Sequence, residues 1–137
     1  MNFPKIGETI TPDMALELCE YFNLYDLKNR IENNPNKYKD WVFDGISVLN
    51  DKFAATISQV DQYVLTTDCA LPHDLRYGYG EPGNKKERKD ADEKFKSDLI
   101  KKAKMNKFWA FIFYSAVRIG GAETLSLSYS WAFAHKS

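Results

Sequence analysis

Residues 70–83 read ALPHDLRYGYGEPG, a stretch in which a predicted helix gives way to a glycine-rich loop. The helix is expected over residues 68–79, because a proline is tolerated only in or near a first turn and Pro72 then falls there. The glycines and Pro82 that follow predict a loop over residues 78–84. This helix and the element that follows the loop decide the fold.

A long charged helix is predicted after the loop, over about residues 86–104. Its apolar side chains recur every four positions, which is the spacing of one buried helix face; they are Ala91, Phe95, Leu99 and Ala103. Residues 107–119 predict a further, aromatic helix that ends at Gly120-Gly121. Residues 125–133 alternate large apolar and small side chains with a period of two, which predicts a strand with one buried face.

The N-terminal part of the chain predicts two helices separated by a break. Thr11 is a suitable N-cap and Pro12 a suitable first-turn residue for the first helix. Asn23 interrupts the apolar spacing, so a second helix is expected after it. The apolar residues of that second helix, at helical intervals, are Leu24, Leu27 and Ile31.

The chain as a whole is predicted to be mainly α, with a small C-terminal β element. An apolar run at residues 41–43 ends in a turn at Asp44-Gly45, and residues 51–57 predict another short helix. A length of 137 residues suits one domain with a real core. We therefore expect a single domain over residues 1–137.

Charge is balanced over the whole chain but not along it. The 19 basic and 19 acidic residues cancel, so we expect no nucleic-acid partner. Residues 84–107 carry ten Lys and Arg against five Asp and Glu, a local net charge of +5. The basic helix within these residues is expected to present either a solvated face or, together with the neighbouring aromatic helix, a surface that binds an anionic membrane.

The sequence shows no segment that predicts export or membrane insertion. Residues 108–116 are strongly apolar but fall short of the roughly 20 residues that cross a bilayer. The first ten residues are polar and interrupted by a proline, unlike a signal peptide. Cys19 and Cys69 do not make a disulfide framework. The expected location is the cytoplasm of the producing cell, with export that reads no such signal left open.

The glycines at 78, 80 and 83 match the dinucleotide-binding pattern G-x-G-x-x-G. That pattern binds a pyrophosphate only where a strand enters the glycines and a helix leaves them. Here a helix enters them, Pro82 removes one backbone N–H and Glu81 adds negative charge. The glycines are therefore predicted to end a helix and to form a turn.

His73, Tyr77 and Asp92 form a set of residues that could carry chemistry. His73 and Tyr77 are four residues apart, so they share a helix face. Asp92 borders the apolar face at Phe95, where an unpaired carboxylate is unfavourable. The imidazole N–H and the tyrosine hydroxyl would satisfy that carboxylate, and the carboxylate would fix the imidazole tautomer and strengthen it as a base. The same residues could also form a purely structural polar network.

Asp74 predicts a metal ligand beside this set. It points about 100° away from His73 around the helix. A carboxylate is a good ligand for a hard cation such as Ca²⁺, which takes oxygen ligands. Such a cation would polarise an ester carbonyl while His73 takes a proton from water.

Cys69 offers an alternative use of His73. The two residues are four apart, which suits a zinc pair or a thiol–imidazole dyad. Zinc would need two further ligands, whereas His135 and Cys19 are distant in sequence. Metal phosphohydrolases with an HD motif use several histidines, and this chain has two. A buried thiol that packs beside the histidine helix is the simpler interpretation.

The motif H-D-x-x-Y at His73 to Tyr77, followed by A-D-x-x-F at Ala91 to Phe95, resembles the phospholipase A2 superfamily, above all its disulfide-poor prokaryotic and viral-capsid members. The resemblance covers about residues 42–104. It implies two antiparallel long helices that carry the site, and calcium-dependent hydrolysis of a phospholipid ester. The aromatic helix and strand at residues 107–135 would be further elements of the same domain.

The resemblance also implies a role for each residue of the site. His73 would be the general base, with Tyr77 and Asp92 in support, and Asp74 would bind calcium. Backbone carbonyls of an upstream loop complete the calcium site in that superfamily, and the matching positions here are Asp44 and Gly45.

Two further expectations follow from the same comparison of motifs. The chain has no glycine-rich loop before the histidine helix, so a non-catalytic module of this fold that binds a membrane surface or a protein partner is the alternative function. The stretch HDLxYxYGEPGN, with the C-terminal part of the chain, also resembles a set of bacterial and phage proteins, which implies no function by itself. A third possible function is that of an interaction protein, which would contact its partner through the exposed loop at residues 78–84.

Overall fold

A computed structural model describes residues 1–45 and 59–136 of the chain. Within these ranges the fold is mainly α, as predicted, with one small two-stranded antiparallel sheet. The helices are α1 (Pro12–Tyr21), α2 (Tyr25–Glu32), α3 (Leu71–Gly78), α4 (Lys85–Lys101) and α5 (Lys107–Gly120), and the strands are β1 (Thr9–Ile10) and β2 (Trp41–Val42). The helix predicted at residues 51–57 lies outside the described residues.

The two N-terminal helices follow the sequence prediction closely. The hydroxyl of Thr11 accepts a hydrogen bond from the Met14 N–H at 3.2 Å, and Pro12 occupies the first turn of α1. Asn23 has a φ of 60° and separates α1 from α2, which confirms the predicted break. Leu27 and Ile31 are buried in the core on the inner face of α2.

The small sheet fixes the loop that leads to the site. Strands β1 and β2 pair antiparallel, with Ile10 opposite Trp41. The backbone N–H of Gly7 donates to the carbonyl of Phe43 at 2.7 Å and extends this contact beyond β2. Gly45 has a φ of 66°, which confirms the turn predicted after the apolar run.

The helix that carries His73 begins earlier than predicted. The chain is already helical from residue 62, and a π-helical turn, Val64–Ala70, runs directly into α3. The Leu71 N–H donates to the carbonyl of Thr66, five residues back. Pro72 has no N–H and cannot continue a regular hydrogen-bond ladder. The wider π-helical turn before it lets the helix pass this position, which a rule based on α-helices alone does not foresee.

Helices α3 and α4 lie antiparallel against each other. His73 contacts Asp92, whereas Tyr77, one turn later in α3, contacts Arg88, one turn earlier in α4. The predicted inner face of α4 is confirmed, because its apolar residues Ala91, Phe95 and Leu99 are buried. Ala103, the fourth residue of the predicted face, is also buried and lies just after the end of the helix. Asn84 caps this helix by accepting the N–H of Glu87.

The C-terminal strand predicted at residues 125–133 is wrong. A 3₁₀ turn, Glu123–Leu125, is followed by further turns, and His135 forms a single bridge with Tyr38. The N–H groups in this segment instead satisfy the free carbonyls at the end of α3. Ala132 donates to the carbonyl of Tyr77 at 2.7 Å, and Ala134 donates to that of Gly78. The period-two pattern therefore marks a segment that closes a helix end rather than a strand.

This segment also explains the glycines of the loop. A Cβ at Gly80 would lie 2.1 Å from the ring of Trp131, and one at Gly78 would lie 3.0 Å from the ring of Phe133. Both glycines therefore make room for aromatic rings of the same chain, and Gly78 ends α3 as predicted. Within residues 1–45 and 59–136, no helix has the length and apolar character that crossing a membrane requires.

Candidate functional site

The three predicted residues His73, Tyr77 and Asp92 meet between α3 and α4. The His73 Nε2 lies 2.9 Å from Asp92 Oδ1, and the Tyr77 hydroxyl donates to the same oxygen at 2.7 Å. Asp92 has no exposed surface. The His73 ring stacks on Phe95, with ring centroids 4.5 Å apart. The sequence therefore predicted two of the donors to this carboxylate, His73 and Tyr77, correctly.

The hydrogen bonds of Asp92 determine the tautomer of His73. Burial alone would raise the pKa of Asp92, but hydrogen bonds from His73, Tyr77 and Arg118 outweigh it and hold the pKa below its usual value. The ionised carboxylate can only accept, so the His73 Nε2 carries the hydrogen. Burial lowers the pKa of His73, which keeps the imidazole neutral at neutral pH. The lone pair of His73 is then on Nδ1.

Two arginines complete the network, and the sequence analysis did not identify either of them. The Arg118 Nη1 donates to Asp92 Oδ2 at 2.8 Å. The Arg88 Nε donates to the Tyr77 hydroxyl at 3.2 Å, and its Nη2 donates to the backbone carbonyls of Val117 and Arg118. One signal was available, since Arg118 is the single charged residue between Lys107 and the end of α5.

A small cavity of about 60 Å³ opens beside His73. Phe95, Ala116 and Val117 form much of its apolar wall. Its polar lining includes His73 and Asp74, and the His73 Nδ1 lies 3.9 Å from the Asp74 Oδ1. The volume has room for a few water molecules. The free nitrogen of His73 therefore lies on the side of the Asp74 carboxylate, at a cavity that can hold water.

All three residues predicted to bind metal line this same cavity: Asp44, Gly45 and Asp74. Burial and the charge of Asp44 raise the pKa of Asp74 well above its usual range. A divalent cation bound between two carboxylates in a partly buried cavity would remove the repulsion between them. Among the described residues, however, no group of three or more His, Cys, Asp or Glu side chains could hold a metal ion.

The donor set therefore fits calcium better than zinc. Calcium accepts backbone carbonyls and water alongside carboxylates, so Asp74, Asp44 and the carbonyl of Gly45 could supply part of its six to eight oxygen ligands. A structural zinc site needs four nitrogen or sulfur ligands, which this cavity does not present among its described lining residues.

Cys69 does not show the character of a nucleophile. Burial, followed by the charge of Asp98, raises the pKa of its thiol to about 12. Reactive cysteines have the opposite shift and are partly exposed, whereas Cys69 is fully buried. Cys19 and Cys69 are both free thiols. His135 lies away from the site, where its Nε2 donates to the Gly80 carbonyl at 2.9 Å.

Comparison of the chain with models of protein families, with curated proteins and with solved structures gives no match. The phospholipase A2 resemblance therefore rests on the two motifs and stays a prediction. What can be argued about function comes from the geometry around His73.

Proposed function

We propose that this chain is a calcium-dependent hydrolase of a lipid carboxylic ester, with His73 as the general base. One observation carries the proposal. The His73 Nε2 is held by a buried, ionised Asp92, while the His73 ring lines a water-sized cavity together with Asp74. A base that is fixed in one tautomer, with its free nitrogen near a second carboxylate, suits the activation of water.

The protein residues supply the proton transfers of this reaction. The His73 Nδ1 takes a proton from a water molecule as the water oxygen bonds to the ester carbonyl carbon. The imidazolium that forms is stabilised by Asp92 and gives its proton to the alcohol oxygen as the ester C–O bond breaks. Positioned general-base catalysis of this kind contributes about 10²- to 10⁴-fold in rate. Tyr77 and Arg118 hold Asp92 in place.

Calcium would be held by Asp74, with Asp44 and the carbonyl of Gly45 as further ligands. When bound, the cation would polarise the ester carbonyl and stabilise negative charge on its oxygen. The support for this assignment is the raised pKa of Asp74, whose causes are burial and the facing charge of Asp44.

The apolar surroundings favour a lipid over a water-soluble ester. The cavity wall is formed largely by Phe95, Ala116 and Val117, and the last two belong to α5. The outer surface of α5 exposes Phe108 and Phe111, with 64% and 55% of their surface accessible. A substrate that enters from a lipid layer would meet apolar side chains at both places.

The test is an assay of fatty-acid release from phospholipid vesicles, with calcium and with a chelator. Wild type should release fatty acid only with calcium, and His73→Gln should release none while keeping its circular dichroism spectrum. His135→Gln is the matched control, because it changes the only other histidine, which lies outside the site. Full activity of His73→Gln would disprove the mechanism.

A second candidate is a membrane-binding module without catalysis. The observation that favours it is the exposure of Phe108, Phe111 and Ile119 on α5, together with the exposed Lys104 and Lys107 before and at the start of that helix. Apolar side chains that insert and cations that attract anionic headgroups together bind a membrane surface. If wild type and His73→Gln co-sediment equally with anionic vesicles and neither releases fatty acid, this candidate replaces the first.

A further inference from the structure

The outer face of α5 is an apolar stripe that stays accessible in the described part of the chain. Phe108, Phe111 and Ile119 expose 64%, 55% and 76% of their surface. With Ser115 they lie three, four and four positions apart, which is the spacing of one helix face. Phe113, on the inner face, is fully buried. The stripe is about 16 Å long at 1.5 Å per residue, and an exposed apolar patch of this kind marks an interaction surface.

The stripe is symmetric about Ser115. Phe111 lies four residues before this serine and Ile119 lies four residues after it. A second copy that packs antiparallel, with a twofold axis at Ser115, therefore sets Phe111 of each copy against Ile119 of the other. Ser115 is small and partly exposed, so the two helices can approach closely where they cross. The face is thus complementary to itself.

Lys107 and Glu123 flank the stripe with opposite charges, and both are exposed. Each is eight residues from Ser115. In the described chain Lys107 makes no ion pair, and Glu123 accepts the Gly83 N–H through one carboxylate oxygen only, at 2.8 Å. The twofold axis that matches Phe111 with Ile119 also brings Lys107 of each copy towards Glu123 of the other. A parallel pair would set Lys107 against Lys107, which is unfavourable.

The remaining charge of α5 does not oppose this arrangement. Lys107 and Arg118 are the two charged residues of the helix. Arg118 is directed away from the stripe, because its Nη1 donates to the buried Asp92. An anionic lipid surface would attract Lys107 but repel Glu123, whereas a second copy provides a partner for both charges. The charges therefore favour a second copy as the partner of this face.

We propose that two copies of this chain pair through the outer faces of their α5 helices, antiparallel, about a twofold axis at Ser115. Burial of Phe108, Phe111 and Ile119 supplies the stability of the pair, and the two Lys107–Glu123 contacts set its register. The proposal does not depend on the hydrolase, because Ala116 and Val117 line the cavity at His73 from another side of α5. A lipid layer would need the same outer face, so pairing and lipid binding exclude each other.

The test is sedimentation-velocity ultracentrifugation of the full chain from about 2 to about 200 μM, a range that detects micromolar association. Wild type should pass from monomer to dimer as its concentration rises. Phe111→Ser should weaken association about tenfold or more, since each substitution acts twice in a symmetric pair. Tyr21→Ser is the matched control, because it removes an aromatic side chain of similar exposure, 53% against 55%, from α1. Both positions are exposed, so neither variant is expected to lose its fold.

Charge reversal tests the register of the pair. Lys107→Glu and Glu123→Lys each place like charges opposite one another, so each should weaken association, and the double variant should restore it. Lys86→Glu reverses an exposed lysine of α4 and should leave association unchanged. If Glu123→Lys fails to fold, loss of association in Lys107→Glu but not in Lys86→Glu still supports the contact. Absence of rescue in a folded double variant would overturn the antiparallel register.

A wild type that stays monomeric over the whole concentration range would overturn the proposal. The same samples are then mixed with anionic phospholipid vesicles. A monomer that co-sediments with the vesicles and loses this binding in Phe111→Ser, but not in Tyr21→Ser, would assign the face to a membrane instead of a second copy.

Discussion

Arg118 donates a hydrogen bond to the Asp92 oxygen that His73 and Tyr77 leave free, across 2.8 Å. The arginine comes from α5, whereas Asp92 comes from α4, and His73 and Tyr77 come from α3. The last turn of α5 therefore closes the site, and its only charged side chain there neutralises the carboxylate that orients the base. A carboxylate with three donors stays ionised and stays in place.

Loss of Asp92 should be the most damaging change in this network. Asp92→Ala leaves His73, Tyr77 and Arg118 without their shared acceptor, so we expect the free energy of unfolding to fall by about 3–5 kcal/mol. Arg118→Gln leaves one carboxylate oxygen without its donor, and a fall of about 1–3 kcal/mol is expected. Urea unfolding of both variants gives the comparison. Equal, small losses would show that the network contributes little to stability.

Gly121 should be required for the position of Tyr77. A Cβ at this residue would lie 2.5 Å from the Tyr77 ring and 2.7 Å from the Val117 carbonyl, so Gly121→Ala must displace the ring or the end of α5. We expect a loss of about 1–3 kcal/mol in unfolding free energy, as overpacking typically causes, together with loss of any esterase activity.

Gly120→Ala is the matched control for this change. It adds the same methyl group one residue earlier, where nothing lies within 4 Å of the new Cβ. Its unfolding free energy should stay within about 0.5 kcal/mol of wild type. Similar losses in the two variants would indicate a general backbone effect and not a contact with Tyr77.

Both cysteines should resist alkylation in the folded protein. Burial raises the pKa of Cys19 and of Cys69 to about 12, so at mildly alkaline pH the reactive thiolate is scarce and inaccessible. Iodoacetamide followed by mass spectrometry should find both thiols intact in buffer and both modified in denaturant. Rapid, selective modification of Cys69 in the folded protein would revive the thiol–imidazole interpretation.

His135 should make the folded protein less stable under acidic conditions. Burial lowers the pKa of His135 from its ordinary value of 6.5, although the hydrogen bond to the Gly80 carbonyl opposes the shift. Below the ordinary value the unfolded chain takes up a proton that the folded chain does not, so stability falls as the pH falls. The unfolding free energy of His135→Gln should therefore decrease less than that of wild type between about pH 7.5 and pH 5. Parallel pH profiles would contradict this assignment.

The sequence predicted the contacts that depend on helical spacing and missed those that depend on how helices pack. An interaction between His73, Tyr77 and Asp92 could be predicted, because each residue lies on a definite face of a helix and an inward carboxylate needs hydrogen-bond donors. The hydrogen bond from Arg118 to Asp92 could not be predicted, because the spacing of residues along α5 does not show which end of that helix contacts α3 and α4.

The C-terminal segment shows a different limit of the sequence. Alternation from Leu125 to Phe133 predicts a strand wherever one side is buried. Here Trp131 is buried while Leu125 and Leu127 are exposed, so the alternation does not mark one continuous buried face. The backbone groups of the segment bond to the end of α3, a partner that no local pattern specifies.

Asp74 should lower the stability of the calcium-free protein and confer its response to calcium. Its side chain is largely buried and faces the charge of Asp44. In the described part of the chain, His73 is the one side chain that lies within 4 Å of the Asp74 carboxylate and can carry a positive charge. Asp74→Asn removes this charge, so the variant should melt at a higher temperature than wild type in the presence of a chelator. Millimolar calcium should then raise the melting temperature of wild type, since a ligand that binds only the folded state stabilises it by mass action. The variant should not respond.

Asp90→Asn, at an exposed position of α4 paired with Lys86, should behave as wild type in both conditions. A wild type that is indifferent to calcium would remove the metal from the proposed reaction and leave His73 and Asp92 as its only catalytic support.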